Sequence, residues 1–313
     1  MERLISALLV LLLIVMSGCI MQSPQKQDNE KIGIGSFSRA VDYAPYIIAK
    51  NKGWFKDIAK KYGKEIDYAE FQSLAAINES FATGNIDIVF EAEAPAIIGK
   101  AAGMDIAIKG IEVSLVQEIL VHKNSEIKEI KDLKGKKIAV LSGTSSHYGV
   151  TKILKDNGLS SKYVELIDMN PPDARAAFET DQVDAWAVWP PWVEQQTVSG
   201  KGRVIKGGDA FIQSITAVRN EFAQKNPELL KEILAEIEKT KKWIAENEKD
   251  AQEIVSKELG ISLEVVKEAW PKHNFQAKIG KKELEDIQAK ADFLLEINLI
   301  KNKVNAEEFV DLQ

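Results

Sequence analysis

Short apolar segments alternate with helical patterns along most of the chain, and no other feature of the sequence constrains the fold as strongly. The predicted strands lie at residues 31–35, 66–71, 86–90, 105–111, 137–141, 164–168 and 183–188. Strands that alternate with helices form mainly parallel sheets, because each helix returns the chain to the same end of the sheet. The sequence therefore predicts an α/β protein.

A short internal repeat points to two similar units within this pattern. Residues 73–90 and 170–188 follow one plan at an offset of 97 residues. In each copy a capping residue, Ser73 or Asn170, begins a helix that is followed by a tight turn and a strand. Common secondary-structure patterns could also produce a match this short. If the repeat is genuine, the chain forms two α/β lobes that hold a ligand between their strand ends.

Beyond residue 208 the pattern becomes mainly helical. A strand is predicted at residues 210–218, and apolar stripes with helical spacing follow it to the end of the chain. Such stripes are typical of core packing, and Trp243 and Trp270 are assigned to the core as well. This helical tail is expected to pack on the first lobe, so that the first lobe is built from two separate parts of the chain.

The composition argues against several classes of function. Of the 313 residues 45% are hydrophobic, and 41 Lys and Arg stand against 47 Asp and Glu, so the net charge of −6 does not favour nucleic acid as a partner. The only cysteine is Cys19 and the three histidines are far apart, which argues against disulfides, metal sites and a cysteine nucleophile. Ser38 stands where a dinucleotide fingerprint requires glycine, so no cofactor is expected.

The N-terminus has the pattern of a secretory signal. A charged start precedes an apolar run at residues 4–16, and small residues lie before Cys19. Residues 16–19 also resemble a lipoprotein signal, which implies a signal peptide over residues 1–18 and a lipidated Cys19 at the start of the mature chain. Residues 19–30 then form a flexible tether. An uncleaved membrane anchor or plain secretion is the alternative, and each reading places the body of the protein outside the cytoplasm.

Residues 137–149 predict a strand, a small polar loop and the start of a helix. Hydroxyl groups at positions 144–146, free backbone N–H groups and the helix dipole together favour binding of an anion without a cationic side chain. Gln72 and Ser73 could supply a second helix N-terminus from the opposite lobe. A serine can equally serve only to cap its helix. Two facing helix starts make an anion site the stronger interpretation.

Several motifs resemble the aliphatic sulfonate and taurine group of solute-binding proteins of ABC importers, a group that also includes nitrate and thiamine-precursor relatives. The motifs lie at residues 81–87, 93–95, 131–135, 143–148, 170–178 and 184–192. The resemblance covers essentially all of the chain from Ile32. It implies a periplasmic binding protein fold of type 2: two Rossmann-like lobes with mainly parallel sheets, joined by a two-segment hinge, and C-terminal helices packed on lobe 1.

The resemblance also implies a domain organisation and a set of partners. The first part of lobe 1 is expected at residues 31–118, lobe 2 at residues 119–212 and the second part of lobe 1 at residues 213–313, with crossovers near residues 116–122 and 210–217. The lobes would close on a small anion and deliver it to a membrane permease and its ATPase subunits. The protein is expected to be a monomer held at the outer face of the membrane by its lipid.

Residue by residue, the resemblance implies a ligand site without a metal or a catalytic group. The implied ligand-binding residues are Ser36, Phe37, Gln72, Ser73, Glu93, Thr144, Ser145, Ser146, His147, Asp173 and Trp189. Glu93 departs from the family pattern, which often has Asp at this position. A carboxylate beside an anion site favours a ligand that also carries a cation, so the hypothesis is that Glu93 binds the ammonium group of an amino-sulfonate such as taurine. Helix capping or exposure to solvent is the alternative role.

Three of these residues have structural alternatives. His147 lies in the predicted first turn of a helix, where the dipole favours a neutral ring that can donate to a sulfonate oxygen, but it could equally lie on the helix surface. Asp173 follows the Asn170 cap by three residues, where a carboxylate also stabilises the helix. Trp189 is expected to form a wall for alkyl carbons, whereas Trp186 is assigned to the core.

Other functions would need other features. The same receptor could carry nitrate, bicarbonate or a thiamine-pyrimidine precursor. An enzyme resembling a pyrimidine-precursor synthase would need reactive cysteines, against which the single Cys19 argues. A hydrolase built on Ser146 and His147 fails because adjacent residues of a helix do not face each other. A ligand-sensing regulator would need a DNA-binding segment where this chain has a signal.

Overall fold

The computed structural model describes residues 31–37, 40–71 and 73–311, and the strands among these residues join in one mixed sheet. The strands are β1 Lys31–Phe37, β2 Glu65–Phe71, β3 Ile88–Ala92, β4 Ile106–His122, β5 Lys137–Val140, β6 Glu165–Asp168, β7 Ala185–Val188, β8 Gly202–Arg219 and β9 His273–Asn274. Their order across the sheet is β2-β1-β3-β8-β4-β7-β5-β6, and β9 pairs with β4.

Helices follow most of the strands and cover the sheet. They are α1 Ala44–Asn51, α2 Trp54–Lys61, α3 Leu74–Ala82, α4 Glu93–Ala101, α5 Ser145–Asp156, α6 Pro171–Glu179, α7 Trp192–Val198, α8 Asn220–Lys225, α9 Pro227–Glu246, α10 Glu248–Leu259, α11 Leu263–Ala269, α12 Lys281–Glu296 and α13 Ala306–Phe309. A short 3-10 turn, Val41–Tyr43, precedes α1.

The two halves of the sheet repeat one topology. In the first half β1 lies between β2 and β3, and all three strands are parallel. In the second half β5 lies between β6 and β7, again in parallel. Strands β4 and β8 run antiparallel to each other between the two halves. The predicted α/β class with a mainly parallel sheet is therefore confirmed, although the two parallel sets belong to one continuous sheet.

The two connecting strands are longer than the sequence pattern predicts. Strands are predicted at residues 105–111 and 210–218, whereas β4 and β8 extend through both halves of the sheet. The apolar pattern is interrupted after residue 111 because polar residues follow. Two of these, Glu112 and Gln117, are buried and hydrogen-bonded in the structure. Tertiary partners thus allow polar residues inside a strand that the pattern alone would end.

The crossover segments predicted near residues 116–122 and 210–217 lie within β4 and β8. Val116 pairs with Phe211, and a register shift follows Glu118. The predicted hinge segments are thus neighbours in the sheet. The lobe boundaries after residues 118 and 212 stay predictions, because both strands run on through them.

The internal repeat is confirmed by matching turns. Ser73 Oγ accepts a hydrogen bond from the N–H of Ala76, at 3.2 Å, and Asn170 Oδ1 accepts one from the N–H of Asp173, at 3.1 Å. Each helix ends close to a residue in the left-handed region, Gly84 with φ of 72° in one copy and Asp181 with φ of 57° in the other. Glycine and aspartate both tolerate this conformation, which allows the chain to turn into the next strand.

Equivalent aspartates tie the repeated strands together. Asp87 Oδ2 accepts a hydrogen bond from the N–H of Gly33, at 3.0 Å, and Asp184 Oδ2 accepts one from the N–H of Lys137, at 2.8 Å. Each aspartate also meets a cation, Arg219 for Asp87 and Lys136 for Asp184. The same residue type at the same point in the two copies therefore performs the same structural task.

The C-terminal helices cover the first half of the sheet and also reach the second. Helices α9 and α10 pack against α1, and α9 packs against α2. Helix α12 contacts both α4 and α5, while α11 contacts α7 of the second half. Trp270 is buried, as predicted, and Trp243 is half-buried, with its ring edge against Trp54 at 5.9 Å between ring centroids.

The predicted signal peptide, Cys19 and the tether lie outside the described residues. Within the ranges that the structure describes, no helix combines the length and the apolar character needed to cross a membrane.

Candidate ligand-binding site

A cavity lies where β1, β3, β5 and β7 end. We call it the strand-end cavity. Phe37, at the end of β1, and Asp42 and Tyr43, in the turn that follows, line it from the first half of the sheet. Ala92 and Pro95, at the end of β3 and the start of α4, complete this wall. The carboxyl ends of parallel strands are where open α/β sheets bind ligands, so its position makes this cavity the leading candidate site.

The start of α5 forms the opposite wall. Thr144, Ser145 and Ser146 line the strand-end cavity from the second half. The Thr144 hydroxyl caps the helix, because it accepts from the N–H of His147, at 3.3 Å, and donates to the carbonyl oxygen of Leu141, at 2.7 Å. The first N–H groups of a helix have no acceptor within it, and its N-terminus carries a partial positive charge. This wall can therefore bind the oxygens of an anion.

Two buried hydroxyl groups at this helix start have no internal partner. Ser145 is 2% exposed and Ser146 1% exposed, and neither Oγ has a hydrogen-bond partner among the residues that the structure describes. Leaving a buried hydroxyl without a partner costs about 1–3 kcal/mol. A ligand with several oxygens in the strand-end cavity would remove this cost.

Asp42 is the one described carboxylate on the wall of the strand-end cavity. It is 4% exposed, and its Oδ2 accepts a hydrogen bond from Ser214 Oγ at 2.9 Å, while Oδ1 has no partner within the described ranges. Burial raises the pKa of Asp42 to about 7, and the charge of nearby Glu93 adds to this. Sequence reasoning missed this residue, although it is the only charged residue within the apolar segment 40–49.

Aromatic side chains supply the apolar surface of the site. Trp189, directly after β7, lines the strand-end cavity together with Phe37, and both side chains also border a wider groove. This is where the sequence places a wall for alkyl carbons. Trp186 is 1% exposed and packs near Phe178 and Trp192, so its assignment to the core is confirmed.

Glu93 has an internal cation. It is fully buried, forms an ion pair with Lys290 of α12 and accepts a hydrogen bond from the N–H of Gln213 at 3.1 Å. Burial lowers the pKa of Lys290, but the carboxylates of Glu93 and Asp286 outweigh this effect and raise it, so the ammonium stays charged. Lys290 therefore occupies the position in which the sequence hypothesis expects the ammonium group of a ligand. The alternative of a solvent-exposed Glu93 is wrong, because Glu93 is 0% exposed.

The predicted second helix start does not line the strand-end cavity. Ser73 is exposed and caps α3, and Gln72 lies outside the described residues. Ser36 is buried but lines a separate, smaller cavity, together with Lys50 and Glu258. Because alternate residues of a strand point to opposite faces, Ser36 and Phe37 cannot both face one cavity.

His147 points toward the C-terminal helices. Its ring lies edge-on to Phe293 of α12, with centroids 5.4 Å apart, and its Nδ1 accepts from the N–H of Gly143 at 3.4 Å. Burial lowers the pKa of His147, so the neutral ring carries its proton on Nε2. His147 is not among the residues that line the strand-end cavity.

Asp173 closes the cap of α6. Asn170 Nδ2 donates to its carboxylate at 2.7 Å, while its own N–H donates to Asn170 Oδ1. Asp173 is exposed and borders the wider groove rather than the strand-end cavity. The structural alternative for Asp173 is therefore observed. Across the described ranges, no cluster of three or more His, Cys, Asp and Glu residues could hold a metal ion.

Comparison with known proteins adds a family and named relatives. The NMT1-like family matches residues 25–260. A Bacillus subtilis protein named for binding aliphatic sulfonates is 31% identical over 278 residues, which cover 86% of this chain and 82% of that protein. The taurine-binding periplasmic protein of Escherichia coli is 29% identical over 180 residues, 55% of each chain.

The fold also matches a solved structure along nearly its whole length. The crystal structure of the periplasmic aliphatic sulphonate binding protein SsuA from Escherichia coli superposes with a TM-score of 0.79 at 25% sequence identity. The superposition covers 89% of this chain and 96% of that chain.

Proposed function

We propose that this chain, which belongs to the NMT1-like family, is the extracytoplasmic substrate-binding protein of an ABC importer. It captures a small sulfonate, such as taurine or an alkanesulfonate, in the strand-end cavity and delivers it to a permease driven by ATPase subunits. Relatives that match much of the chain are named as sulfonate-binding and taurine-binding proteins, which supports a binding role rather than catalysis.

One observation carries the choice of ligand class. The buried hydroxyl groups of Ser145 and Ser146 have no partner in the described part of the chain, and they lie at the N-terminus of α5 on the wall of the cavity. A sulfonate has three oxygens that share one negative charge, which suits two hydroxyl donors, free N–H groups and the positive end of a helix dipole. Trp189 and Phe37 offer apolar surface for the carbon chain.

The proposal includes movement and anchoring. The lobes bounded near residues 118 and 212 would close around the ligand by bending β4 and β8, and small-angle X-ray scattering that records no decrease in radius of gyration on ligand addition would count against this. A lipid on Cys19 would hold the protein, a monomer, at the outer face of the membrane. Palmitate labelling that persists in Cys19→Ser would exclude that anchor.

Calorimetric titration of the purified protein tests the ligand class. The panel is taurine, ethanesulfonate, nitrate, sulfate, bicarbonate and a thiamine-pyrimidine precursor. We expect binding of at least one sulfonate, and binding at least about a hundredfold weaker in the double variant Ser145→Ala, Ser146→Ala, because each of the two lost hydrogen bonds to a charged group contributes about 1.5–3 kcal/mol.

Ser73→Ala is the matched control, since Ser73 also lies at a helix start but on the surface. It should leave the affinity for sulfonate unchanged. Binding of nitrate, bicarbonate or the pyrimidine precursor without any sulfonate would retain the receptor role and replace the ligand class. Conversion of a bound compound into a product would instead support an enzyme.

A further inference from the structure

We propose that Asp42 makes the strand-end cavity selective for small zwitterions, namely sulfonates that also carry an ammonium group, over simple alkanesulfonates. This inference rests on the proposed function, because it names the substrate class of the same cavity. It assigns to Asp42 the ammonium-binding role that the sequence places on Glu93.

The structure holds the Asp42 carboxylate in one position. Asp42 lies in the buried turn Val41–Tyr43 between β1 and α1, and its Oδ2 is bound by the hydroxyl of Ser214, itself fully buried in β8. Its Oδ1 accepts no hydrogen bond from any described residue. The carboxylate is thus oriented by the protein, yet one buried oxygen remains available for a donor in the cavity.

The cavity has a different chemistry on each side. The second-half wall offers the hydroxyl groups of Ser145 and Ser146 and the start of α5, which suit an anion. The first-half wall offers the Asp42 carboxylate, which suits a cation. No lysine, arginine or histidine is among the described residues that line the cavity. A ligand with a sulfonate at one end and an ammonium at the other would satisfy both walls.

None of the described charged groups near Asp42 is a cation that is available to pair with its carboxylate. Glu93, at the start of α4, is paired with Lys290 of α12, which also binds Asp286. Glu91 of β3 is buried, and its Oε2 has no hydrogen-bond partner among the residues described. Tyr43 is a neutral phenol whose pKa burial raises well above its ordinary value. The nearby Lys290 ammonium is therefore already used, and a ligand is the remaining source of a cation for Asp42.

Because of this arrangement, we expect the affinity for a zwitterionic sulfonate and the affinity for a simple alkanesulfonate to change in opposite directions with pH. The pKa of Asp42 lies at about 7 because burial disfavours the charged carboxylate. An ammonium group beside Oδ1 stabilises the carboxylate, so binding of a zwitterion releases a proton and strengthens as the pH rises through 7. A simple sulfonate adds only negative charge, so it binds better to protonated Asp42 and weakens over the same range.

Calorimetric titration of the full protein with taurine and ethanesulfonate tests the inference. The two compounds share a two-carbon sulfonate and differ in the ammonium group, which stays protonated from about pH 5.5 to about pH 8. We expect taurine to bind more tightly at the upper end of this pH range and ethanesulfonate to bind more tightly at the lower end. Repeating the titrations in buffers of different ionisation enthalpy should detect proton release with taurine and proton uptake with ethanesulfonate.

The variant Asp42→Asn removes the carboxylate with little change in size. We expect its affinity for taurine at about pH 8 to fall at least about tenfold, its affinity for ethanesulfonate to rise or stay equal, and both pH slopes to disappear. Asp209→Asn is the control, because Asp209 is an exposed residue of β8 that does not line the cavity. It should change neither affinity.

The outcomes separate this inference from the proposed function. If both sulfonates bind with the same pH slope, or if Asp42→Asn leaves their affinity ratio unchanged, the inference is wrong and the sulfonate receptor stands. If neither compound binds the folded protein, the sulfonate assignment fails and the inference fails with it. The pH dependence of taurine and ethanesulfonate binding to the wild-type protein tests the inference even if the Asp42→Asn variant does not fold.

Discussion

Glu93 and Asp42 are both buried carboxylates near the start of a helix, but they have different partners. Glu93 meets the ammonium of Lys290, a residue nearly 200 positions further along the chain. Asp42 has no cation as a partner among the described residues: its Oδ2 accepts a hydrogen bond from Ser214, and hydrogen bonding by the Tyr43 hydroxyl also lowers its pKa. A buried charge needs a partner, so the paired residue is structural and the other is free to bind a cation. The role of a residue in this protein therefore depends on its neighbours as much as on its type.

The variant Lys290→Met tests this difference. It leaves the Glu93 carboxylate buried without a cation, and breaking a buried ion pair in this way costs about 3–5 kcal/mol. We expect a loss of that size in the free energy of unfolding at about pH 7, measured by urea denaturation. Adding Glu93→Gln should recover part of the loss, because a neutral amide needs no counter-charge.

Lys281→Met provides the matched control on the same helix. Its side chain is 90% exposed, so its ion pair with Glu285 contributes little. A loss of stability as large as that of Lys290→Met would contradict a specific role for the buried pair.

At the scale of elements, the repeated unit explains why the site lies where it does. In each copy an aspartate at the start of the last strand, Asp87 or Asp184, binds a backbone N–H of the neighbouring strand. The turn after β1 and the start of α5 thus lie at equivalent points of the two halves. One of them carries Asp42 and the other carries Ser145 and Ser146, so the same backbone plan provides two chemically different walls.

Substitution of the two aspartates should have unequal effects. Asp87→Ala removes a buried carboxylate that also pairs with Arg219, whereas the Asp184 side chain is 37% exposed and pairs with exposed Lys136. Hydrogen bonds to charged groups contribute about 1.5–3 kcal/mol, and less where water can replace them. We expect Asp87→Ala to lose about 3 kcal/mol of unfolding free energy in urea and Asp184→Ala about 1 kcal/mol. Equal losses of unfolding free energy would contradict this expectation and show that the two aspartates stabilise the fold equally.

At the scale of the whole molecule, several carboxylates are enclosed between the sheet and its helices. Burial raises the pKa of Glu91 to about 8 and those of Asp42 and Glu112 to about 7. In the unfolded chain these groups titrate near pH 4. Between these values the folded state binds more protons than the unfolded state, so the free energy of unfolding falls as the pH rises.

At lower pH, His273 has the opposite effect and makes the free energy of unfolding rise with pH. Burial lowers its pKa to about 4, so the unfolded state binds the extra proton below the ordinary value of about 6.5. The contribution of His273 to the free energy of unfolding therefore increases from about pH 4 to about pH 6.5 and then levels off. From about pH 6.5 to about pH 8 the buried carboxylates with raised pKa values therefore dominate the slope.

We therefore expect the ligand-free protein to lose stability between about pH 6.5 and pH 8, as measured by urea denaturation. Glu91→Gln should reduce this slope and raise the free energy of unfolding at about pH 8, because Gln cannot ionise. Glu65→Gln, on the exposed face of β2, is the control and should leave the slope unchanged. A flat profile in the wild-type protein would show that these carboxylates are not protonated in the folded state.

Local patterns in the sequence determine the α/β class, the repeat and the start of α5. Alternation of apolar strands with helices, the caps Ser73 and Asn170 and the small polar residues at positions 144–146 each act within a few residues of the chain. The family resemblance adds the relation to sulfonate-binding proteins. The same local information places Trp186 in the core and Trp189 at the strand end, where the structure has them.

Tertiary structure alone decides which polar groups face the strand-end cavity. Asp42 meets Ser214 across 172 positions, and Glu93 is paired with Lys290 from a helix near the end of the chain. The long strands β4 and β8 likewise retain polar residues that a local pattern would exclude. The physical reason is the cost of burying a polar or charged group, which depends on partners brought together by packing and not by their spacing in the sequence.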